Sequence, residues 1–170
     1  TETITFTISV NDAAAAAVSD SPTTVVVTSV NDGPALAGAQ SDQPVTDKTT
    51  VAPFTVFAVA DIDAAQLHEL TVTLDDAAKG AFTPASLTAS GFSNGSIAGA
   101  YRFNGIASLA QTALRQLIFQ PADNRVPAGT TETTTFTVAS TDASGASASN
   151  SGTSVTSLAI NDAPTLAAIP

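Results

Sequence analysis

Residues 131–166 read TETTTFTVASTDASGASASNSGTSVTSLAINDAPTL, and residues 1–36 read TETITFTISVNDAAAAAVSDSPTTVVVTSVNDGPAL. The two stretches align without a gap and about half their positions are identical, so the chain carries a repeat with a period of 130 residues. That period is too long for a short-unit solenoid and matches the size of one domain. Within both copies apolar and hydroxyl side chains alternate. Ile4, Phe6, Ile8 and Val10 fall between Thr3, Thr5, Thr7 and Ser9, and Phe136 and Val138 repeat the pattern one period later. A period of two is the signature of a strand with one buried face. The phase of the repeat predicts three parts: 1–32 as the C-terminal strands of a preceding repeat, 33–162 as one complete repeat, and 163–170 as the start of the next.

Outward from the duplicated segment the same alternation returns. Leu70, Val72 and Leu74 alternate with Glu69, Thr71 and Thr73. Further strands are expected over 54–60, 100–104, 117–120, 23–30 and 153–160. Asp75-Asp76, Lys79-Gly80, Ser93-Asn94-Gly95 and Pro127-Ala128-Gly129 are read as turns between them. Leu109, Ala113, Leu114 and Leu117 break the pattern at helical spacing, which predicts one short helix over 108–116. Many short strands with regular breaks predict an all-β sandwich with that single helix on its edge.

Composition narrows the partners. Five Lys and Arg against fifteen Asp and Glu leave a formal charge of −10, which cannot neutralise a phosphate backbone and disfavours anionic membranes. Such a surface attracts cations. No Cys is present, so there is neither a disulfide framework nor a thiolate metal site. No apolar run approaches the length of a membrane span.

The carboxylates collect at strand ends and at the repeat boundaries. Asp61 and Asp63 close one apolar stretch, Asn31-Asp32-Gly33-Pro34 joins the repeats, and Asn161-Asp162-Ala163-Pro164 recurs one period on. Glu2 and Glu132 open the duplicated strands, and Asp12 and Asp142 follow them. Glu132 with TTTFTVASTDASG, the next strand, and then NDAP resembles the last two strands of a cadherin repeat. Asp61-Ile62-Asp63 is similar to the DxD element that such a repeat places after its linker. The whole unit, through DNRVPAGTTETTTFTV and its VNDGP and INDAP boundaries, resembles the bacterial cadherin-like or Ig-like repeats of large secreted, RTX-type adhesins.

That resemblance implies an antiparallel Greek-key β-sandwich, a secreted or cell-surface location, and Ca²⁺ bound at the junctions. It implies Glu2, Asn31, Asp32, Asp61, Asp63 and Asp142 as ligands of one junction, and Glu132, Asn161 and Asp162 as a half-site for the next. The full DRE element is missing, since Thr130 and Thr131 precede Glu132, which implies one or two ions rather than three. Elementary chemistry points the same way. Ca²⁺ takes six to eight oxygen ligands, and like charges ~4 Å apart at an effective dielectric of ~20 repel by roughly 4 kcal/mol. Carboxylates gathered at a joint therefore call for a cation. An EF-hand does not fit, because Ala65 and Gln66 stand where that loop needs Asp/Asn and Gly. Asp42, Asp47, Asp75 and Asp76 read as ordinary turn residues.

Enzyme chemistry is not expected. One histidine, His68, shares the register of Leu70 and Val72 and reads as a rim residue at a strand start. Neither GxSxG nor GxxxxGK[ST] occurs. The function expected is a spacer repeat whose partners are neighbouring repeats of the same chain. The alternative is a carbohydrate-binding or homophilic adhesion module, with polysaccharide or another cell surface as partner and Tyr101 as the one aromatic platform. Segment 1–30, lacking the rest of its domain, is expected either to pair with another molecule or to compete with 131–160 for one slot.

Overall fold

A computed structural model describes residues 1–14, 16–63 and 65–163. The expected start of a next repeat at 163–170 lies, beyond Ala163, outside the described residues. Two compact units divide the chain, Thr1–Asn31 and the part from Asp32 onward.

The first unit is a two-stranded antiparallel hairpin, β1 (Glu2–Asn11) with β2 (Ala17–Val27). Every described residue of both strands is exposed. The second unit runs through β3 (Ala35–Ala37), β4 (Gln43–Thr46), β5 (Ala58–Ala60), β6 (Leu67–Leu74), β7 (Gly80–Phe82), α1 (Pro84–Ser90), β8 (Ser93–Asn94), β9 (Ala100–Ile106), α2 (Ala107–Arg115), β10 (Phe119–Pro121), β11 (Thr131–Asp142) and β12 (Ser147–Leu158). Its main sheet has six strands in the order β4-β12-β11-β6-β9-β8. Two small sheets, β3–β5 and β7–β10, complete the strands. The unit is mostly β and its arrangement is consistent with a β-sandwich. One edge corrects a purely antiparallel reading: β4 runs parallel to β12, pairing Gln43–Thr46 with Val155–Leu158.

The duplicated segment fills corresponding hairpins. β11 pairs with β12 in the register Thr131↔Leu158 to Phe136↔Thr153, slips after Phe136, and resumes at Val138↔Asn150. β1 and β2 slip at the equivalent place, between Phe6 and Ile8. Both turns close alike. Asp142 Oδ1 accepts the N–H groups of Ser144 and Ala146, each at 2.9 Å, and Asp12 Oδ1 accepts those of Ala14 and Ala16 at 2.9 and 3.0 Å. The slot that both copies could have claimed in the second unit is held by β11 and β12.

Alternation decides what is buried. β11 turns Thr134, Phe136, Val138, Ser140 and Asp142 inward, and β6 turns His68, Leu70, Val72 and Leu74 inward beside them. Phe136 is the hub of the core. Its ring lies 5.5 Å from Phe54, 5.8 Å from Phe82 and 5.1 Å from Phe119. Phe82 and Phe119 come from β7 and β10, so that small sheet packs across the main one at this point. α2 presents Ala107, Ala110, Ala113 and Leu114 to the core and bears on β5, β9 and β6.

Several local expectations are corrected. Residues 54–60 form a turn over 53–56 and only then β5. Phe54 and Phe57, three apart and both buried, reach the same core from a turn, which a strand's alternation would forbid. Ser93-Asn94 is a short strand on Arg102 and Tyr101 rather than a turn. Lys79 ends a 3₁₀ turn, but Gly80 already begins β7. α1 was not expected. It is capped by the Thr83 hydroxyl accepting from Ser86 N–H, carries Pro84 in its first turn, and stops at Gly91 with φ of 76°. Among the described residues no helix is long and apolar enough to cross a membrane.

Candidate functional site

The loop after β5 builds one end of the second unit through its own carboxylates. Asp61 Oδ1 accepts the backbone N–H of Asp63 at 2.8 Å, the local Asx bond that makes Asp-x-Asp a tight corner. Asp63 Oδ2 in turn accepts the backbone N–H of Asp32 at 2.9 Å. The corner is fastened to the turn between β11 and β12. Gln66 N–H donates to the Asp63 carbonyl at 2.8 Å, and its side-chain amide donates to Ser144 Oγ at 2.9 Å. Asp142, 5% exposed, lies beside His68 as its cross-strand neighbour. Asp32, Asp61, Asp63 and Asp142 thus belong to one wired end of the unit. Glu2 and Asn31 lie on the hairpin unit, Glu2 as the exposed first residue of β1.

His68 is a correction. It is 1% exposed, and its position opposite Gly105 on β9 and Asp142 on β11 puts it in the middle of the sheet. Its Nε2 stands 3.4 Å from Asp61 Oδ2, both side chains being fully buried, and its Nδ1 stands 3.3 Å from Ser140 Oγ. The Asp61 contact is within ion-pair reach but misaligned for a hydrogen bond, so Asp61 Oδ2 and His68 Nε2 both lack a hydrogen-bond partner. The signal for burial was present in the sequence, because His68 shares the inward phase of Leu70, Val72 and Leu74. Ser140 is itself fully buried, so Asp61, His68 and Ser140 form a buried polar series in the core.

Asp32, Asp61, Asp63 and Asp142 offer hard carboxylate oxygens, and the Asp61 Oδ2 that lacks a hydrogen bond stands beside the His68 imidazole. That chemistry suits Ca²⁺. The carboxylates are not drawn into one cluster: among the described residues no group of three or more His, Asp or Glu converges as a metal site.

The opposite end of the unit is wired differently. Arg125 holds Glu132 by two bonds of 2.9 Å and reaches Asp76 at 2.7 Å. Lys48 bridges Asp123 at 2.5 Å and Asp162 at 2.6 Å. Lys79 holds Asp75 at 2.6 Å and the Thr133 carbonyl at 2.8 Å. Hydrogen bonds from Lys48 and then from Asn124 hold the Asp162 carboxyl below the usual carboxylate range. The bond from Ala78 N–H, followed by the Arg125 charge, does the same for Asp76. The Lys48 ammonium is pushed well above the ordinary lysine value, chiefly by its bonds to Asp123 and Asp162. Asn161 donates to the Asp162 carbonyl at 3.0 Å. The expected half-site residues Glu132, Asn161 and Asp162 therefore already have protein partners. Asp47, read as a turn residue, is 3% exposed and caps the strand exit, its Oδ1 accepting from Ile160 N–H at 3.0 Å.

Tyr101 is 6% exposed and packs edge-on against Phe82 with ring centres 4.8 Å apart, so it offers no platform to a sugar. No protein-family model and no curated protein matches this chain.

Proposed function

We propose that residues 33–162 form a Ca²⁺-binding spacer repeat of an extracellular adhesin-type protein, of the Greek-key class that cadherin-like and Ig-like repeats share. Ion binding at the Asp32 end stiffens the joint to the preceding module, and a tandem array of such joints projects a distal part of the protein away from the cell. Asp32, Asp61, Asp63 and Asp142 would hold the ion, each through carboxylate or carbonyl oxygen. The ion supplies the positive charge that lets these groups approach one another. The protein's own residues set the corner, through the Asp61 and Asp63 backbone bonds, and tie it to the Asp142 turn through Gln66 and Ser144.

One contrast carries this reading. At the far end Lys48, Lys79 and Arg125 neutralise the carboxylates, whereas among the described residues no Lys or Arg forms an ion pair with Asp32, Asp61 or Asp63. A corner that has the His68 imidazole beside Asp61 but, among the described residues, no Lys or Arg favours an added divalent cation. Affinity is expected in the ~10⁻⁴–10⁻³ M range of extracellular modules. Calorimetric unfolding in millimolar Ca²⁺ and in chelator tests it. Stability should rise by about 2.7 kcal/mol at one hundred times the dissociation constant, and Asp63→Asn should abolish most of the rise. An identical transition in both buffers would sink the proposal.

A further inference from the structure

The β1–β2 hairpin presents Ile4, Phe6, Ile8 and Val10 at 41%, 49%, 65% and 68% exposure. In the other copy the equivalent positions Thr134, Phe136, Val138 and Ser140 are buried. The exposed version is the more apolar of the two. A lone two-stranded hairpin is only marginally stable in water, and the outer edge of β1 carries no partner strand among the described residues.

The same chain displays what covers a hairpin of this kind. β6 runs antiparallel along the free edge of β11, placing Leu74 opposite Phe136, Val72 opposite Val138 and Leu70 opposite Ser140. Arg125 then clamps Glu132 and Lys79 donates to the Thr133 carbonyl. One period earlier, Glu132 and Thr133 are Glu2 and Thr3. Charge selects the same occupant. Residues 1–31 contain Glu2, Asp12 and Asp20 and no Lys, Arg or His, while all five basic residues of the chain fall within 33–130. Two hairpins would repel each other, and set edge to edge with Phe6 opposite Ile8 they would put Glu2 against Asp12 at each end.

We propose that the β1 edge and its apolar face are the docking surface for a repeat body of the 33–130 type, joined ahead of Thr1. Its β6-type strand adds antiparallel to β1, with Leu74-, Val72- and Leu70-type residues opposite Phe6, Ile8 and Val10. Its Arg125-type guanidinium clamps Glu2. The binding mode is strand addition, in which main-chain bonds supply affinity and alternate side chains supply specificity. This rests on the tandem-array reading and not on calcium, so all measurements are made in chelator and the two proposals fail separately.

The experiment splices a second copy of residues 33–130 directly before Thr1 and follows amide exchange by residue in the 170-residue chain and in the spliced protein. The β11 amides report that a repeat is folded. The expected result is rapid exchange over Thr3–Asn11 in the 170-residue chain, and protection within about tenfold of β11 once the body is spliced on. Glu2→Gln should lower that protection severalfold in the spliced protein and leave the 170-residue chain unchanged. Unprotected β1 amides beside protected β11 amides in the spliced protein would overturn the proposal. So would a 170-residue chain that dimerises with its β1 amides already protected, since a second copy would then be the occupant.

Discussion

Phe6 and Phe136 are one residue in two circumstances, and replacing each by alanine measures what burial contributes to this fold. Phe136 is fully buried, with Phe54, Phe82 and Phe119 all within 6 Å between ring centres. Truncating such a ring removes its transfer free energy and leaves a cavity, together costing about 3–5 kcal/mol. Edge-on aromatic partners push the figure toward the upper end. Phe6 occupies the matching register position but is 49% exposed. Its replacement should stay within about 0.5 kcal/mol, as for surface positions. With a urea slope of ~2 kcal/mol per molar, Phe136→Ala should move the unfolding midpoint down by roughly 2 M, and Phe6→Ala should leave it in place. The assay is equilibrium urea unfolding followed by circular dichroism in chelator, with the slope checked for constancy. A Phe6→Ala midpoint falling as far as that of Phe136→Ala would refute the reasoning, because it would show the hairpin face to be covered in the 170-residue chain.

Asp142→Asn keeps an acceptor for the Ser144 and Ala146 N–H groups and should hold stability in chelator to within about 1 kcal/mol, whereas Asp142→Ala loses both bonds and should cost about 1–3 kcal/mol. Either substitution should remove the Ca²⁺-linked rise, and a rise that survives in Asp142→Asn would exclude this carboxylate as a ligand. Gly80→Ala places a Cβ 2.4 Å from the Gln120 carbonyl at φ of 152°, so β7 must part from β10. Thermal unfolding should show a large loss, and an unchanged midpoint would contradict the packing. The Asp162 and Asp76 carboxyls are held below their ordinary value of 3.8. The stability each adds is fully present above that value and is lost as pH falls through the lower folded one. Asp162→Asn should therefore flatten the fall in urea midpoint below about pH 4, and an unchanged pH profile would show the Lys48 bridge to be energetically silent.

The elements legible in the sequence are those with long alternation. β6, β11 and β12 followed from Leu70-Val72-Leu74, Phe136-Val138 and the duplicated segment, and the helix read over 108–116 occupies Ala107–Arg115. Less legible were elements with little apolar periodicity. α1 has Leu87 as its one large apolar residue, and only its Thr83-Pro84 start and Gly91 stop announced it. The stretch 54–60 misled because its two phenylalanines reach the core from a turn, a tertiary outcome that no window of neighbours encodes. At the candidate site the Asp-x-Asp corner was legible. The burial of His68 was legible in its register and outweighed by its place at a strand start. The ties through Gln66 and Ser144, 78 residues apart, were not, since a single side-chain bond across such a distance leaves no local pattern.

The wiring of the two ends bears on how an array of such modules would respond to ions. At the Glu132 end, Arg125 and Lys48 already occupy the carboxylates, and these pairs are half-open to solvent, with side-chain exposures between 20% and 51%. Pairs of that kind contribute little to stability and weaken with salt, so their consequence is geometric. Lys48 holds Asp162 and Asp47 caps Ile160, which fixes how the chain leaves β12 whether or not a divalent ion is present. At the Asp32 end no Lys or Arg among the described residues performs that service for Asp61 and Asp63, and the buried His68 imidazole lies beside Asp61. Ion dependence should therefore enter each joint from the module that follows it. Replacing Lys48 by methionine would free Asp123 and Asp162, and the exit strand should then gain a calcium dependence it otherwise lacks, readable as Ca²⁺-induced protection of the Ile160 amide. If that amide is equally protected in chelator and in calcium after the substitution, Asp47 alone sets the exit and the lysine bridge is incidental.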